Sequence, residues 1–305
     1  MDVRDTRSST DTASASAGAR GRGTSAAARR GDLALTALGA VGFITTFIGI
    51  AMAFLYAPTD RVQGHAYRIV YIHAPVAWLA YLSVGVVFVA SIGYLWKRSM
   101  LMDRFSRAAA ELGFLFISLA LVTGSLWGRP IWNAWWSWDA RLTTTLILWF
   151  IYLGYFTLRA YAGDRERAAR YGAVLGIVAM VDVPIIHQSV TWWRTLHPQP
   201  VVLKASGPNL GNDMLVTLLV CFIGLTVVFA YLLLLKVQVE SVRDLLLDRD
   251  LDRTFSTDLH PHSLMHTHAH GDAMTTLDRR APQVSGMPSS PGAATTPPTF
   301  ADDAD

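Results

Sequence analysis

The sequence predicts an all-α integral membrane protein. It has six transmembrane helices with both termini cytoplasmic, a tryptophan-rich interfacial segment on the outer face, and disordered N- and C-terminal tails. Three observations carry this prediction. Of 305 residues, 52% are hydrophobic and only 16% charged, whereas soluble domains carry about 25% charged residues. Six apolar stretches come near the ~20 residues that cross a bilayer. Lys and Arg crowd alternate connections, and cytoplasmic connections hold that excess.

Residues 1–32 are rich in Ser, Ala, Gly and Arg. They cannot bury enough apolar surface to offset chain entropy and are expected to form a disordered cytoplasmic arm. Asp2, Asp5 and Asp11 argue against a transit peptide. The first apolar run, 33–56, outlasts the roughly 7–15 residues of a signal-peptide core and is expected to be a true span. Further spans fall at 76–96, 108–127, 142–162, 170–190 and 213–236, so that 33–237 is one membrane domain. Residues 238–305 form a cytoplasmic, largely disordered tail containing acids, prolines and histidines. Its run His260-Pro-His-Ser-Leu-Met-His-Thr-His-Ala-His270 could hold a divalent metal weakly, although a solvated low-complexity tail reads the same way.

Orientation follows from the cations. The arm carries Arg4, Arg7, Arg20, Arg22, Arg29 and Arg30; the second connection Lys97, Arg98, Arg104 and Arg107; the fourth Arg159, Arg165, Arg167 and Arg170. Lys236, Arg243, Arg249 and Arg253 follow the sixth span. The other three connections hold only Arg61 and Arg68, Arg129 and Arg141, and Arg194 and Lys204, and are therefore outside. The lone cysteine, Cys221, excludes an internal disulfide, a CxxC redox pair and covalent haem attachment through CxxCH. No GxxxxGK[ST] phosphate loop occurs, so ATP hydrolysis would belong to a partner.

The unusual residues collect in the outer connections. The first ends Tyr67-Arg-Ile-Val-Tyr-Ile-His-Ala-Pro75, and the third opens Pro184-Ile-Ile-His-Gln-Ser-Val-Thr-Trp-Trp-Arg-Thr-Leu-His-Pro198. Between them, Trp127-Gly-Arg-Pro-Ile-Trp-Asn-Ala-Trp-Trp-Ser-Trp-Asp-Ala-Arg141 packs five tryptophans into twelve positions. Tryptophans at span ends commonly form an interfacial belt, and Trp192 and Trp193 fit one. A belt scatters its rings, whereas Trp127, Trp132, Trp135, Trp136 and Trp138 are concentrated. If Trp132 to Asp139 is helical, Trp132, Trp135, Trp136 and Asp139 share one face, with Trp138 off it. A lone histidine at a helix end is usually capped or solvated, and His65 reads so. His73 and His197 are better ligand candidates, each flanked by aromatics and next to or near a proline.

An apolar shelf suits a flat conjugated molecule. Histidines ligate first-row metals, and arginines grip carboxylates bidentately. Haem satisfies all three; a quinone would use the shelf without needing paired histidines. A membrane quinol oxidoreductase would also place ligand histidines within its spans. A solute channel would line them with polar residues, of which only Asp182 stands out. An acid at that depth is a functional candidate, or a protonated group bonded to a carbonyl freed by Pro184.

The run Trp132-Asn-Ala-Trp-Trp-Ser-Trp-Asp139 resembles the WWxWD signature of haem-handling membrane proteins. Together with Asp139-Ala-Arg-Leu-Thr143, Trp127-Gly-Arg-Pro130 and the two histidine motifs, it is similar to the haem exporter protein C family of cytochrome c maturation over residues 33–237. The resemblance implies a carrier rather than an enzyme, in a bacterial cytoplasmic membrane. Haem b would be transient cargo, bound outside on Trp127, Trp132, Trp135, Trp136, Trp138 and Asp139. By motif, the axial ligands would be His73 and His197, not His187. Arg129 and Arg141, then Arg68 and Arg194, are the candidate propionate partners. Implied partners are an extracytoplasmic haem chaperone, an ABC-type ATPase with its membrane subunit, a small single-span subunit and the lipid bilayer, with no nucleic acid. A synthetase-type relative would continue the signature as Trp-Asp-Pro-Lys-Glu, where this chain has Asp139-Ala-Arg141. Asn133 replaces a glycine usual in the signature. Contacts from Lys204 onward do not transfer.

Overall fold

A computed structural model of the chain describes residues 5–193, 195–197 and 210–258, with side chains over 29–193, 195–197 and 210–250. Arg194, Lys204 and the run His260–His270 lie outside the described residues. The elements are α1 (Asp5–Leu55), a 3₁₀ turn (His65–Ile69), α2 (Val70–Lys97), α3 (Met100–Trp132), α4 (Ala140–Ala160), α5 (Arg165–Trp192) and α6 (Asn212–Asp258). No strand occurs among the described residues. Six helices are long and apolar enough to cross a membrane, in the predicted order. Met1–Leu251 forms one compact unit; of the second, Asp252–Asp305, the described part is the run of α6 to Asp258.

The helices are longer than the apolar runs that reveal them. α1 is helical from Asp5, well ahead of the expected start near residue 33. This stretch holds seven alanines from Ala13 to Ala28, and alanine has the highest helix propensity of any residue. α3 starts at Met100, so Asp103, Arg104 and Arg107 lie on a helix and not in a connection.

Apolar burial between helices drives little association in lipid, so close packing must do the work. The core joins Leu79, Val84 and Val87 of α2 to Ala109, Ala110, Phe116 and Ile117 of α3, Leu148, Tyr152 and Tyr155 of α4, and Ile186 of α5. α1 reaches α6 through small residues: a Cβ on Gly224 would stand 2.6 Å from the Thr46 backbone nitrogen. Only glycine allows that approach.

Acids and cations pair at the ends of the helices opposite the tryptophan segment. Arg159 grips Asp103 bidentately, at 2.8 and 3.0 Å. Asp244 of α6 accepts from Arg104 at 2.7 Å and from Arg107 at 3.0 Å, and also pairs with Arg165. Glu240 lies 3.0 Å from Arg107. Asp103, Glu240 and Asp244 are all buried. This network fastens α3, α4, α5 and α6 together, leaving the other ends of the helices to shape a site.

Candidate functional site

The three connections expected outside meet at one end of the bundle. In the first, Asp60 Oδ1 accepts from the backbone N–H groups of Val62 and Gln63 at 2.9 and 2.7 Å, and Gly64 turns the chain at φ 60°. The chain then enters α2, whose second turn carries His73. Its Nδ1 lies 2.9 Å from Thr123 Oγ1, and the Thr123 hydroxyl donates to Leu119 O at 2.7 Å. The His73 ring meets Trp127 edge-on, at 5.6 Å between centroids. It also rests against Gly124, where a Cβ would stand 3.2 Å from its Cε1. Trp127 is therefore a spacer behind His73, pinned by donation from Nε1 to Gln63 Oε1 at 2.9 Å.

The tryptophan segment is not helical beyond Trp132, contrary to the expected shared face. Asn133 adopts the left-handed conformation at φ 53° and ends α3, and Asp139 caps the start of α4. The residues between are left irregular. Asn suits this position because it is among the few non-glycine residues that visit that region, and its Oδ1 accepts from Arg129. Arg129 also lies over the Trp135 ring, 5.9 Å from its centroid. Trp135 and Trp138 are 59% and 77% exposed. Trp136 is half-buried and meets Trp138 edge-on at 5.6 Å. Trp132 turns back onto Gly128, where a Cβ would stand 2.9 Å from its ring. The indoles thus form a loop surface set by two helix caps.

Asp139 ties this loop to the third connection. Its Oδ1 accepts from Arg141 N at 2.9 Å, and Oδ2 accepts from Leu196 N at 2.9 Å and from the Thr195 hydroxyl. Burial disfavours the charged carboxylate, but hydrogen bonds from Thr195, Leu196, Arg141 and Leu142 outweigh it and hold the group below its ordinary value. The tie brings His197 to Arg141, with Nη1 and Nδ1 3.0 Å apart. Arg141 also lies beside Tyr81. His73 lies close enough to His197 and Arg141 to feel the charge of each. Both histidines therefore share one site.

Other candidates fall elsewhere. Arg68 donates to Ala53 O and lies over Phe54, 5.9 Å from the ring centroid, which commits it to α1. His65 and His187 are exposed. Trp192 and Trp193 are exposed and edge-to-face with each other at 5.8 Å, as a belt pair would be. Asp182 is buried, and its Oδ2 has no hydrogen-bond partner among the described residues. Trp136 Nε1, Ser137 Oγ, Arg141 Nε and Thr143 Oγ1 are also buried without partners. Buried polar atoms are nearly always satisfied, and these four fall within eight residues of the tryptophan segment and the start of α4.

Reasoning from the sequence missed Thr123, Gln63, Thr195 and Tyr81. Thr123 and Trp127 stand four residues apart on one helical face, a spacing that could have linked them to His73.

Comparison with known proteins agrees with the reading. Residues 24–250 match the family model described as Heme exporter protein C. The chain is 44% identical over 216 residues to the heme exporter protein C of Bradyrhizobium diazoefficiens, covering 69% of this chain and 82% of that one. It is 39% identical over 200 residues to that of Haemophilus influenzae, covering 65% and 80%. To a ccmC-like mitochondrial protein of cytochrome c biosynthesis from Marchantia polymorpha it is 37% identical over 184 residues, covering 60% and 78%.

Proposed function

The chain belongs to the haem exporter protein C family, and from that membership we propose that it carries haem at the outer face of a bacterial cytoplasmic membrane. It delivers that haem to an extracytoplasmic chaperone during cytochrome c maturation. The observation that carries this reading is the meeting of His73, His197 and Arg141 beside the tryptophan loop, from three separate connections.

The residues fit such a cargo. Trp135, Trp136 and Trp138 offer an apolar surface that a macrocycle covers by offset or edge contact. His73 and His197 supply two imidazoles, from α2 and from the third connection, as iron axial ligands. Arg129 is exposed beside Trp135, and Arg141 has a buried Nε–H without a partner. Both are placed to grip propionates, whereas Arg68 is engaged on α1. Asp139 supports the site through its loop contacts, and Trp127 and Trp132 hold His73 and the end of α3. The carrier makes and breaks no covalent bond in its cargo, so it is not an enzyme. ATP hydrolysis belongs to a partner ATPase with its own membrane subunit, and residues 1–32 and 238–305 act as cytoplasmic extensions of the membrane domain.

The test is spectroscopic. Detergent-purified His73→Ala and His197→Ala proteins should each lose haem, or pass from six- to five-coordinate bands, relative to the unaltered protein. Unchanged spectra in both would overturn the axial assignment.

A further inference from the structure

One side of α3 forms a cradle for His73. Thr123 Oγ1 stands 2.9 Å from Nδ1, and a Cβ on Gly124 would stand 3.2 Å from Cε1. Trp127, one turn beyond Thr123, closes on the ring edge-on at 5.6 Å and is itself held by Gln63 at 2.9 Å. Nδ1 is thus turned to α3, which leaves Nε2 as the nitrogen for an iron. The protonation of the ring in the empty protein does not enter, because the metal decides it. An imidazole that gives Nε2 to iron carries its proton on Nδ1. The group beside Nδ1 must then accept, and Thr123 can, since its own hydrogen has Leu119 O as acceptor at 2.7 Å.

We propose that Thr123 is a positioning residue that sets the strength of His73 as an iron ligand. The proposal rests on the haem-carrying reading above, with His73 as an axial ligand. A group that accepts from the far nitrogen of a ligating imidazole fixes the ring and makes the ligating nitrogen more basic. The kind of acceptor decides how much. A carboxylate in this place would take a charge-assisted bond, about twice as strong as a neutral one, and would make the imidazole a donor that keeps ferric iron. A hydroxyl orients the ring with only a modest gain in basicity, which suits a carrier that must let its cargo go. Gly124 belongs to the same device: a Cβ there would crowd the ring and push it off the hydroxyl.

The experiment titrates ferric and ferrous haem into the detergent-purified full chain and measures the midpoint potential of the bound haem. Thr123→Val keeps the branched shape and removes the acceptor. Ferric haem should then bind roughly tenfold more weakly, the low end of what such supporting contacts are worth. Ferrous haem, which depends less on a basic ligand, should lose less, so the potential should rise. Thr123→Ser returns the hydroxyl and should return both the affinity and the potential. Unmoved ferric affinity and potential in Thr123→Val overturn the proposal. So does a loss equal for ferric and ferrous haem, or one that Thr123→Ser leaves in place, since either would mean that Thr123 only fills space. Should Thr123→Val fail to elute as folded protein, Thr123→Ala carries the same expectations. If the unaltered protein binds no haem, or keeps its spectrum in His73→Ala, the carrier reading or its axial assignment fails and this proposal falls with it. Haem binding that needs His73 and ignores Thr123 sinks this proposal alone.

Discussion

Asp139 shows what one carboxylate can organise. It caps α4 with one oxygen and holds the third connection with the other, through Leu196 beside His197. The sequence identified Asp139 as part of a signature and placed it on the haem-facing surface; its partners, Thr195 and Leu196, lie more than fifty residues away and could not be read locally. His73 and His197 stood out in the sequence because of the aromatics and prolines around them, and the fold brings both near Arg141. Thr123, whose hydroxyl oxygen lies 2.9 Å from His73 Nδ1, is an ordinary helical threonine until the fold brings it there. The depressed pKa of Asp139 gives a pH prediction. Its stabilising contribution is fully present above the ordinary carboxyl value of 3.8 and is lost as pH falls through the lower folded value. The thermal midpoint of the detergent-solubilised protein should therefore exceed that of Asp139→Asn by a constant margin from neutral pH down to about 4. Below that the two should converge. A margin that persists at lower pH would mean that the charge is not what braces the loop.

At the scale of the helices, hydropathy found all six spans because lipid demands apolar side chains along the length of each crossing. It misplaced the ends, because a helix continues wherever its polar residues find partners. α3 reaches back to Met100 on the strength of Asp103, which is 2% exposed and bound by Arg159 and Arg107. Those arginines announced orientation in the sequence; in the structure they also join helices. The run from Asn133 to Asp139 failed as a helix for a related reason: a left-handed residue and a capping aspartate outweighed a periodic arrangement of indoles. The inner network makes a quantitative prediction. Asp103→Ala leaves the Arg159 guanidinium buried with Ala168 O at 3.1 Å as its remaining acceptor, and removing one partner of a buried pair costs about 3–5 kcal/mol. Arg170→Ala removes a pair with Glu166 whose side chains are 49% and 62% exposed, worth about 0–1 kcal/mol. Unfolding in mixed micelles should separate the two variants clearly; equal losses would show that the inner cluster contributes no more than a surface pair.

For the whole molecule, the proposed delivery requires that the tryptophan loop and the two histidines face the compartment of the proposed recipient. The geometry makes the orientation of all three outer connections a single question, since Trp127 binds Gln63, Asp139 binds Leu196 and Arg141 meets His197. They sit on one side of the bilayer together or not at all. The cation count predicts that this side is outside, because Arg98 and its neighbours mark the opposite ends. Labelling can decide this cleanly, because the one cysteine, Cys221, is buried and supplies little background. Trp138→Cys puts a thiol at a position 77% exposed, and Arg98→Cys puts one where the native side chain is 52% exposed. In intact spheroplasts, a membrane-impermeant maleimide should modify Trp138→Cys and spare Arg98→Cys until the membrane is opened. The reverse pattern would turn the histidine site toward the cytoplasm, where an extracytoplasmic recipient could not reach it, and delivery across the outer face would have to be abandoned even if the site binds haem.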